Sequence, residues 1–312
     1  MTSPASDETE TRARPPGRGR GVVAVFALVA VVSLVETWRA VTASSRVATI
    51  LEWQAAGQKV RGDFRAGDLV VFAPAWADQV GRSFLGDIIP VEMAARVGAD
   101  HYERIWEVSI RDARAPETLV KGARLVEEQR FGHVRVALWD KGPAVRTLYA
   151  FTAHLPDARV VEVDARGAER PCYHDGAGFR CGSTRIEKRV TEVDYQPRLA
   201  TMIPVSGADT TALDYDAVPM GKSLVVYTGL HDYYARKNGS GPINVTVEID
   251  GEKLVVPPAT NESGWQRTAL DTARFDGAPH KVRFLVSAPL PPWRNLAIDA
   301  ETRASPAALV PK

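Results

Sequence analysis

The chain has 312 residues, 45% of them hydrophobic, and 39 Lys and Arg against 38 Asp and Glu give a net charge of +1. With both signs interspersed there is no basic stripe, which excludes a nucleic-acid surface built on net charge. A single stretch is apolar enough to enter a bilayer, which excludes a multi-pass transporter, and about 270 residues beyond it suffice for two ordinary domains.

Residues 1–20 are rich in Ser, Thr, Pro, Gly and charge and are predicted to form a disordered cytoplasmic tail. Gly21 to Val35 then runs without a charge, directly behind Arg12, Arg14, Arg18 and Arg20. A basic flank is held on the cytoplasmic side, so the reading is a transmembrane signal-anchor over 21–38. The N-terminus is then cytoplasmic, and the bulk is extracytoplasmic, in the periplasm or at the cell exterior. The strict run spans roughly 22 Å against a hydrocarbon core of about 30 Å, and extension to Trp38 adds about a turn. A signal peptide cleaved near Ala43 is the alternative.

The expected fold class is α+β: the single anchor helix, a small α/β layer (39–165) and a C-terminal antiparallel β-sandwich of jelly-roll type (198–303). In the layer, a helix is predicted over Val41 to Gln58 and a buried strand over Asp68 to Trp76, ending at Pro74. Helices are predicted over Ala77 to Leu85 and Pro90 to Val97. Arg104 to Ile110 alternates as a strand, Ala123 to Phe131 and His133 to Trp139 pair around Gly132, Val145 to Leu155 reads as helical, and Arg159 to Val163 as a strand.

Residues 166–197 form a connector. Cys172 and Cys181 enclose eight residues including two Gly, which in an oxidising compartment reads as a disulfide hairpin. A zinc site with His174 as a third ligand is the alternative, without the close Cys pair of common zinc motifs. From Ile186 onward short alternating runs recur, at Arg198 to Val205, Lys222 to Thr228, Ile243 to Ile249, Val282 to Val286 and Leu296 to Ala300. An Asp250-Gly251 turn leads into Lys253 to Val256. This is the pattern of a sandwich. Residues 304–312 read as a loose tail.

Two stretches carry resemblances. Gly67-Asp-Leu-Val-Val-Phe-Ala-Pro-Ala-Trp76, followed by Arg104-Ile-Trp-Glu-Val, resembles the soluble α/β domain of GT-C membrane glycosyltransferases. That family carries its catalytic acid between its first transmembrane helices, so the resemblance implies a fold here and no glycosyl transfer. Pro219-Met-Gly221, Leu224 to Gly229, Val245 to Gly251, Asn261 to Trp265, Asp271-Thr272 and His280 to Ala288 are similar to β-sandwich modules of glycan-processing proteins. The resemblance implies carbohydrate binding.

Sugar recognition needs flat aromatic faces and planar polar groups. His231, Asp232, Tyr233 and Tyr234 follow a strong strand, and Trp265, Trp293 and Arg294 join them if their loops meet at one end of the sandwich; sealing of the core by these rings is the alternative. Asp78, Arg82, Asp87 and Glu92 follow the first strand of the layer, where α/β sheets bind ligands, and Asp78, Asp87 and Glu92 are the acid/base candidates. Asp209, Asp214 and Asp216 are candidates for a structural Ca²⁺, or an acidic loop in water. No other metal or cofactor is expected. His residues at metal-ligand helical spacing, a Gly-x-Ser-x-Gly elbow and a complete phosphate loop are all lacking. The expected function is that of a membrane-anchored accessory protein, more readily non-catalytic than enzymatic, that binds envelope or extracellular glycan or a glycan-processing membrane complex. A glycan-modifying hydrolase or transferase with its site in the layer, and a purely structural interaction protein, are the alternatives.

Overall fold

The computed structural model describes residues 18–44, 47–89, 98–194, 196–205, 209–231, 241–289 and 294–304. The chain divides into two units, Met1–Ala48 and Thr49–Lys312. The first holds one helix, α1 (Arg18–Ser44). Its described side chains, 25–39, include Val25, Phe26, Leu28, Val29, Val31, Val32, Leu34 and Val35, all exposed. Among the described residues no helix is long and apolar enough to cross a membrane.

The second unit opens on α2 (Ile50–Asp63). The single helix expected over Val41 to Gln58 is therefore not formed. Thr49 is an N-cap: its side chain accepts from the Glu52 backbone N–H, while the Glu52 carboxylate accepts from Thr49 N at 2.8 Å. This reciprocal capping box satisfies two donors that an uncapped start would leave open. There follow β1 (Asp68–Ala73), α3 (Asp78–Leu85), β2 (Arg104–Ile110), α4 (Glu117–Val120), β3 (Arg124–Phe131) and β4 (Val134–Asp140). The sheet order is β1-β2-β4-β3, with β1 and β2 parallel and the remaining pairs antiparallel.

On one face of this sheet Trp53 of α2 stacks on Phe84 of α3 with ring centroids 6.0 Å apart and tilts onto Phe72 of β1 at 6.4 Å. Helix α3 comes so close to β1 that a Cβ on Gly81 would lie 1.9 Å from the Phe72 ring. On the other face Leu69, Val71 and Ile105 pack with Ala99, Ala115 and Leu119. Beside them a buried ion pair joins Glu107 to Arg135. Its spare hydrogen-bonding positions are filled: Ala115 N and Trp139 Nε1 donate to Glu107 at 2.8 and 2.9 Å, and Arg135 donates to Ser109 and Glu128, each at 3.0 Å.

The remaining strands are β5 (Thr147–Ala150), β6 (Arg159–Val163), β7 (Glu169–Pro171), β8 (Tyr173–His174), β9 (Phe179–Cys181), β10 (Thr184–Val193), β11 (Gln196–Val205) and β12 (Thr210–Pro219). After them come β13 (Ser223–Leu230), β14 (Ile243–Ile249), β15 (Glu252–Ala259), β16 (Gln266–Asp271), β17 (Pro279–Ser287) and β18 (Arg294–Arg303). They make two sheets. The larger runs β16-β13-β18-β11-β10-β9-β8 with β5 also beside β18; the smaller runs β15-β14-β17-β12-β6-β7. Ile186, Ile203, Leu224, Val226 and Ile298 of the larger meet Leu213, Tyr215, Val245, Val247, Phe284 and Val286 of the smaller in one apolar core. This is a β-sandwich in which every second residue points inward.

The sandwich begins earlier than the sequence pattern put it. Val145 to Leu155, expected as a helix, contains β5, because Thr147–Ala150 finds open pairing positions on Glu301–Arg303 of β18. Arg159 to Val163 is a strand as expected, but it pairs with β12 and β7 of the sandwich and not with the layer. The connector supplies β7 to β10. Cys172 and Cys181 form a disulfide, which excludes the zinc alternative. Cys172 sits between β7 of the smaller sheet and β8 of the larger, so the bridge to β9 pins the crossing from sheet to sheet. The helix expected over Pro90 to Val97 lies outside the described residues, as do 1–17 and 305–312 of the two predicted tails.

Candidate functional site

At one end of the sandwich the β10–β11 turn, the end of β13, the loop before β16 and the start of β18 come together. His231 anchors there twice: its N–H donates to Asn295 O at 3.0 Å, and its Nδ1 lies 3.3 Å from Glu192 O. Trp265 donates from Nε1 to Gln196 O at 2.8 Å and rests half-buried on Ala200, Met202 and Ala297, outside the main core. Gly229 of β13 lies under the indole; a Cβ there would be 3.3 Å from Trp265 Cε3.

Arg294 is only 3% exposed. It donates from NH1 to Asn261 Oδ1 at 3.1 Å and from NH2 to Gly241 O, both neutral acceptors. Burial lowers its guanidinium below the usual range, and among the described residues no carboxylate pairs with it. A buried cation held only by amide oxygens is a costly arrangement, of the kind that concentrates at binding sites. Thus His231, Trp265 and Arg294 share one end of the sandwich, whereas Asp232, Tyr233, Tyr234 and Trp293 lie outside the described residues.

Sequence reasoning missed the outer face of the larger sheet that leads away from Trp265. Arg198, two residues beyond the Trp265 contact on β11, pairs with Asp299 at 2.7 Å and lies 3.7 Å above the Tyr227 ring centroid. Thr152 completes Asp299 with a 2.9 Å hydrogen bond. Arg303 then donates to Tyr227 Oη at 3.1 Å, to Asp100 at 3.0 Å and to Glu301 at 2.6 Å, and His101 Nε2 lies 2.7 Å from Glu301. Burial opposes ionisation of Glu301, but the hydrogen bond from His101 and the charge of Arg303 hold its carboxyl down to about 2. Every charge in this cluster has an opposite, and Asp100 and His101 come from the layer. The cluster therefore clamps layer to sandwich. Its only sequence signal was alternation: odd positions of β13 and β18 face outward, and Tyr227, Asp299, Glu301 and Arg303 are all odd.

The acidic candidates of the layer do not assemble. Asp78 pairs with Arg82 at 2.9 Å, one turn along α3, and Asp87 pairs with Arg61 at 2.5 Å. The hydrogen bond from Arg61 lowers the Asp87 carboxyl below its usual range, the opposite of what a general acid needs. Glu92 lies outside the described residues. The Ca²⁺ candidates also part company, because Asp214 and Asp216 lie on strand β12 and Asp209 just before it. Asp214 is buried on Arg159 and Arg283, Asp209 bonds to Arg170, and Asp216 faces Lys281. Among the described residues no group of three or more His, Cys, Asp or Glu could hold a metal ion.

No protein-family model and no curated protein matches the chain. Solved structures similar to it are carbohydrate-binding β-sandwich modules. The CBM51-2 and INT domains of Clostridium perfringens ZmpB are 9% identical, over 53% of this chain and 29% of that one, with a TM-score of 0.26. The CBM51 from Clostridium perfringens GH95 in complex with methyl-galactose is 12% identical, over 39% and 91%, with a TM-score of 0.28. TmCBM61 in complex with beta-1,4-galactotriose is 12% identical, over 50% and 97%, with a TM-score of 0.28. The chain spans 29% and 41% of the first two ZmpB structures it matches. Superpositions this loose assign no ligand to this chain, and they do not show the GT-C resemblance of the layer.

Proposed function

We propose that this chain is a membrane-anchored, extracytoplasmic accessory protein whose sandwich binds glycan at the end carrying His231, Trp265 and Arg294. The observation that carries the reading is that this end holds both a half-buried indole and a buried guanidinium that has no carboxylate partner among the described residues. An indole face takes the C–H face of a sugar ring, and a guanidinium fork takes vicinal hydroxyls or a carboxylate. The location rests on the basic-flanked run, on apolar side chains exposed all round α1, and on a disulfide, which persists in oxidising compartments.

The test is glycan-array binding of the full chain against envelope glycans, neutral and uronic-acid-containing. Wild-type signal that falls at least tenfold in Trp265→Ala and in Arg294→Met, with unchanged circular dichroism, is expected; tenfold corresponds to about 1.4 kcal/mol. Silence of the wild type across the array sinks the reading.

A further inference from the structure

One end of the α/β layer bears large apolar side chains that are exposed. Helices α2 and α3 start at this end and run side by side: Gly57 faces Phe84, and Arg61 pairs with Asp87 at the far end. Ile50 and Leu51, in the first turn of α2, are 68% and 75% exposed, and Trp76, in the turn between β1 and α3, is 55% exposed. The β3–β4 turn closes the same end, where His133 Nδ1 lies 3.1 Å from Glu52. So does the turn after β2, where Arg111 and Asp112 both have φ of 55° and Ala113 N bonds to Ile110 O at 3.0 Å. Two consecutive non-Gly residues in the left-handed region are strained, and such strain collects at functional positions. Here it holds the Arg111 guanidinium 5.3 Å from the Trp76 ring centroid. Asp112 is occupied by Arg130 and His133 by Glu52, while among the described residues Arg111 has no carboxylate.

We propose that this tip, formed by Ile50, Leu51, Trp76 and Arg111, is a contact surface for an anionic phospholipid bilayer. The side chains are those that suit the interface: aliphatics for the acyl boundary, an indole at headgroup depth and an exposed guanidinium, with no carboxylate among the described residues, for phosphate. Chain length argues for the same occupant. The tip begins at the capping residue Thr49, fourteen residues after Val35 ends the apolar run. The proposal rests on the anchor reading for that nearness, and it adds that the layer itself touches lipid and is not merely tethered near it.

The experiment uses the full chain in vesicles of phosphatidylcholine and phosphatidylglycerol. Its two native cysteines are bonded to each other, so one added cysteine takes a fluorophore alone. Labels go at Ala30→Cys in α1, Leu51→Cys at the tip and Val255→Cys, 73% exposed on the sandwich. Quenching by phospholipids spin-labelled at the chain end and near the glycerol gives each depth. Leu51 should be quenched by the shallow label, as for a surface lying about 5–10 Å into the headgroup and acyl boundary, and Val255 by neither. Trp76→Glu and Arg111→Glu should each abolish quenching at Leu51 and leave that at Ala30 unchanged. Deep quenching at Ala30 with none at Leu51 overturns the proposal and spares the anchor. No quenching at either site overturns both, and quenching at Leu51 alone supports the tip without the anchor.

Discussion

The layer and the sandwich handle buried charge in opposite ways. The sandwich has two sheets to close on each other, so its interior is apolar, and Glu301, Arg303 and Asp214 lie on outer faces. The layer has one sheet, and among the described residues Ala99, Ala115 and Leu119 pack on the face away from α2 and α3. Glu107 and Arg135 are buried together there, 1% and 3% exposed at their side chains, each with a full set of partners. Arg294 at the sandwich end fits neither pattern, being a buried cation whose partners among the described residues are amide oxygens and no carboxylate. A paired buried charge fixes structure, whereas an unpaired one is held at a cost that a ligand can relieve.

Breaking the layer's pair should produce the largest loss. Glu107→Gln takes from Arg135 the more buried of its two carboxylate partners, leaving Glu128, and is expected to cost about 3–5 kcal/mol in urea unfolding, while Glu107→Leu with Arg135→Met recovers most of it. If the single and double variants are equally unstable, the pair has no special role. The sandwich's counterpart is covalent. Replacing Cys172 and Cys181 by Ser frees an eight-residue loop at the sheet crossing and should cost roughly 2–3 kcal/mol, read from the same unfolding curves. Gly81→Ala forces a methyl group into the Phe72 ring and should cost about 1–3 kcal/mol, since α3 cannot back away without uncovering β1.

The clamp between layer and sandwich makes a pH prediction. Glu301 sits at about 2 in the folded chain against an ordinary 4.5, so ionised Glu301 favours folding above pH 4.5. That contribution should fade as pH falls from there through about 2. Thermal melts of Glu301→Gln should therefore show a weaker acid dependence than the wild type, the rest coming from other lowered carboxylates such as Glu169, and an unchanged acid limb would remove the clamp from the account. The smallest effect is expected at Arg294. Arg294→Met removes an unpaired buried charge but strands the acceptors of Asn261 and Gly241, so the net change should stay within about 1 kcal/mol. A loss as large as that of Glu107→Gln would mean that the residue is a structural keystone.

Much of the sandwich was legible, because strands buried on one face write a period of two. Ile243, Val245, Val247 and Ile249 of β14 are buried, and the intervening residues are more exposed. β5 and β12 were not legible. Thr147 to Ala150 carries no strand signal of its own and is a strand because β18 offers it a pairing edge, and Asp214 of β12 is buried against Arg159 and Arg283 while Asp216 stays exposed. Of the candidate site, the residue types were readable in His231, Trp265 and Arg294, but not their shared position or the burial of Arg294 on amide oxygens.

By itself the sequence determined local matters: where charge is missing between Gly21 and Val35, which cysteines are near enough to join, and which strands alternate. Each depends on residues only a few positions apart. The tertiary structure alone decided that Asp78 and Asp87 are tied up by Arg82 and Arg61, that Tyr227 lies under Arg198, and that Trp76 and Leu51 stand exposed at the same tip. Burial, pairing and convergence come from chain segments tens to hundreds of residues apart, and no local pattern encodes which of them will meet.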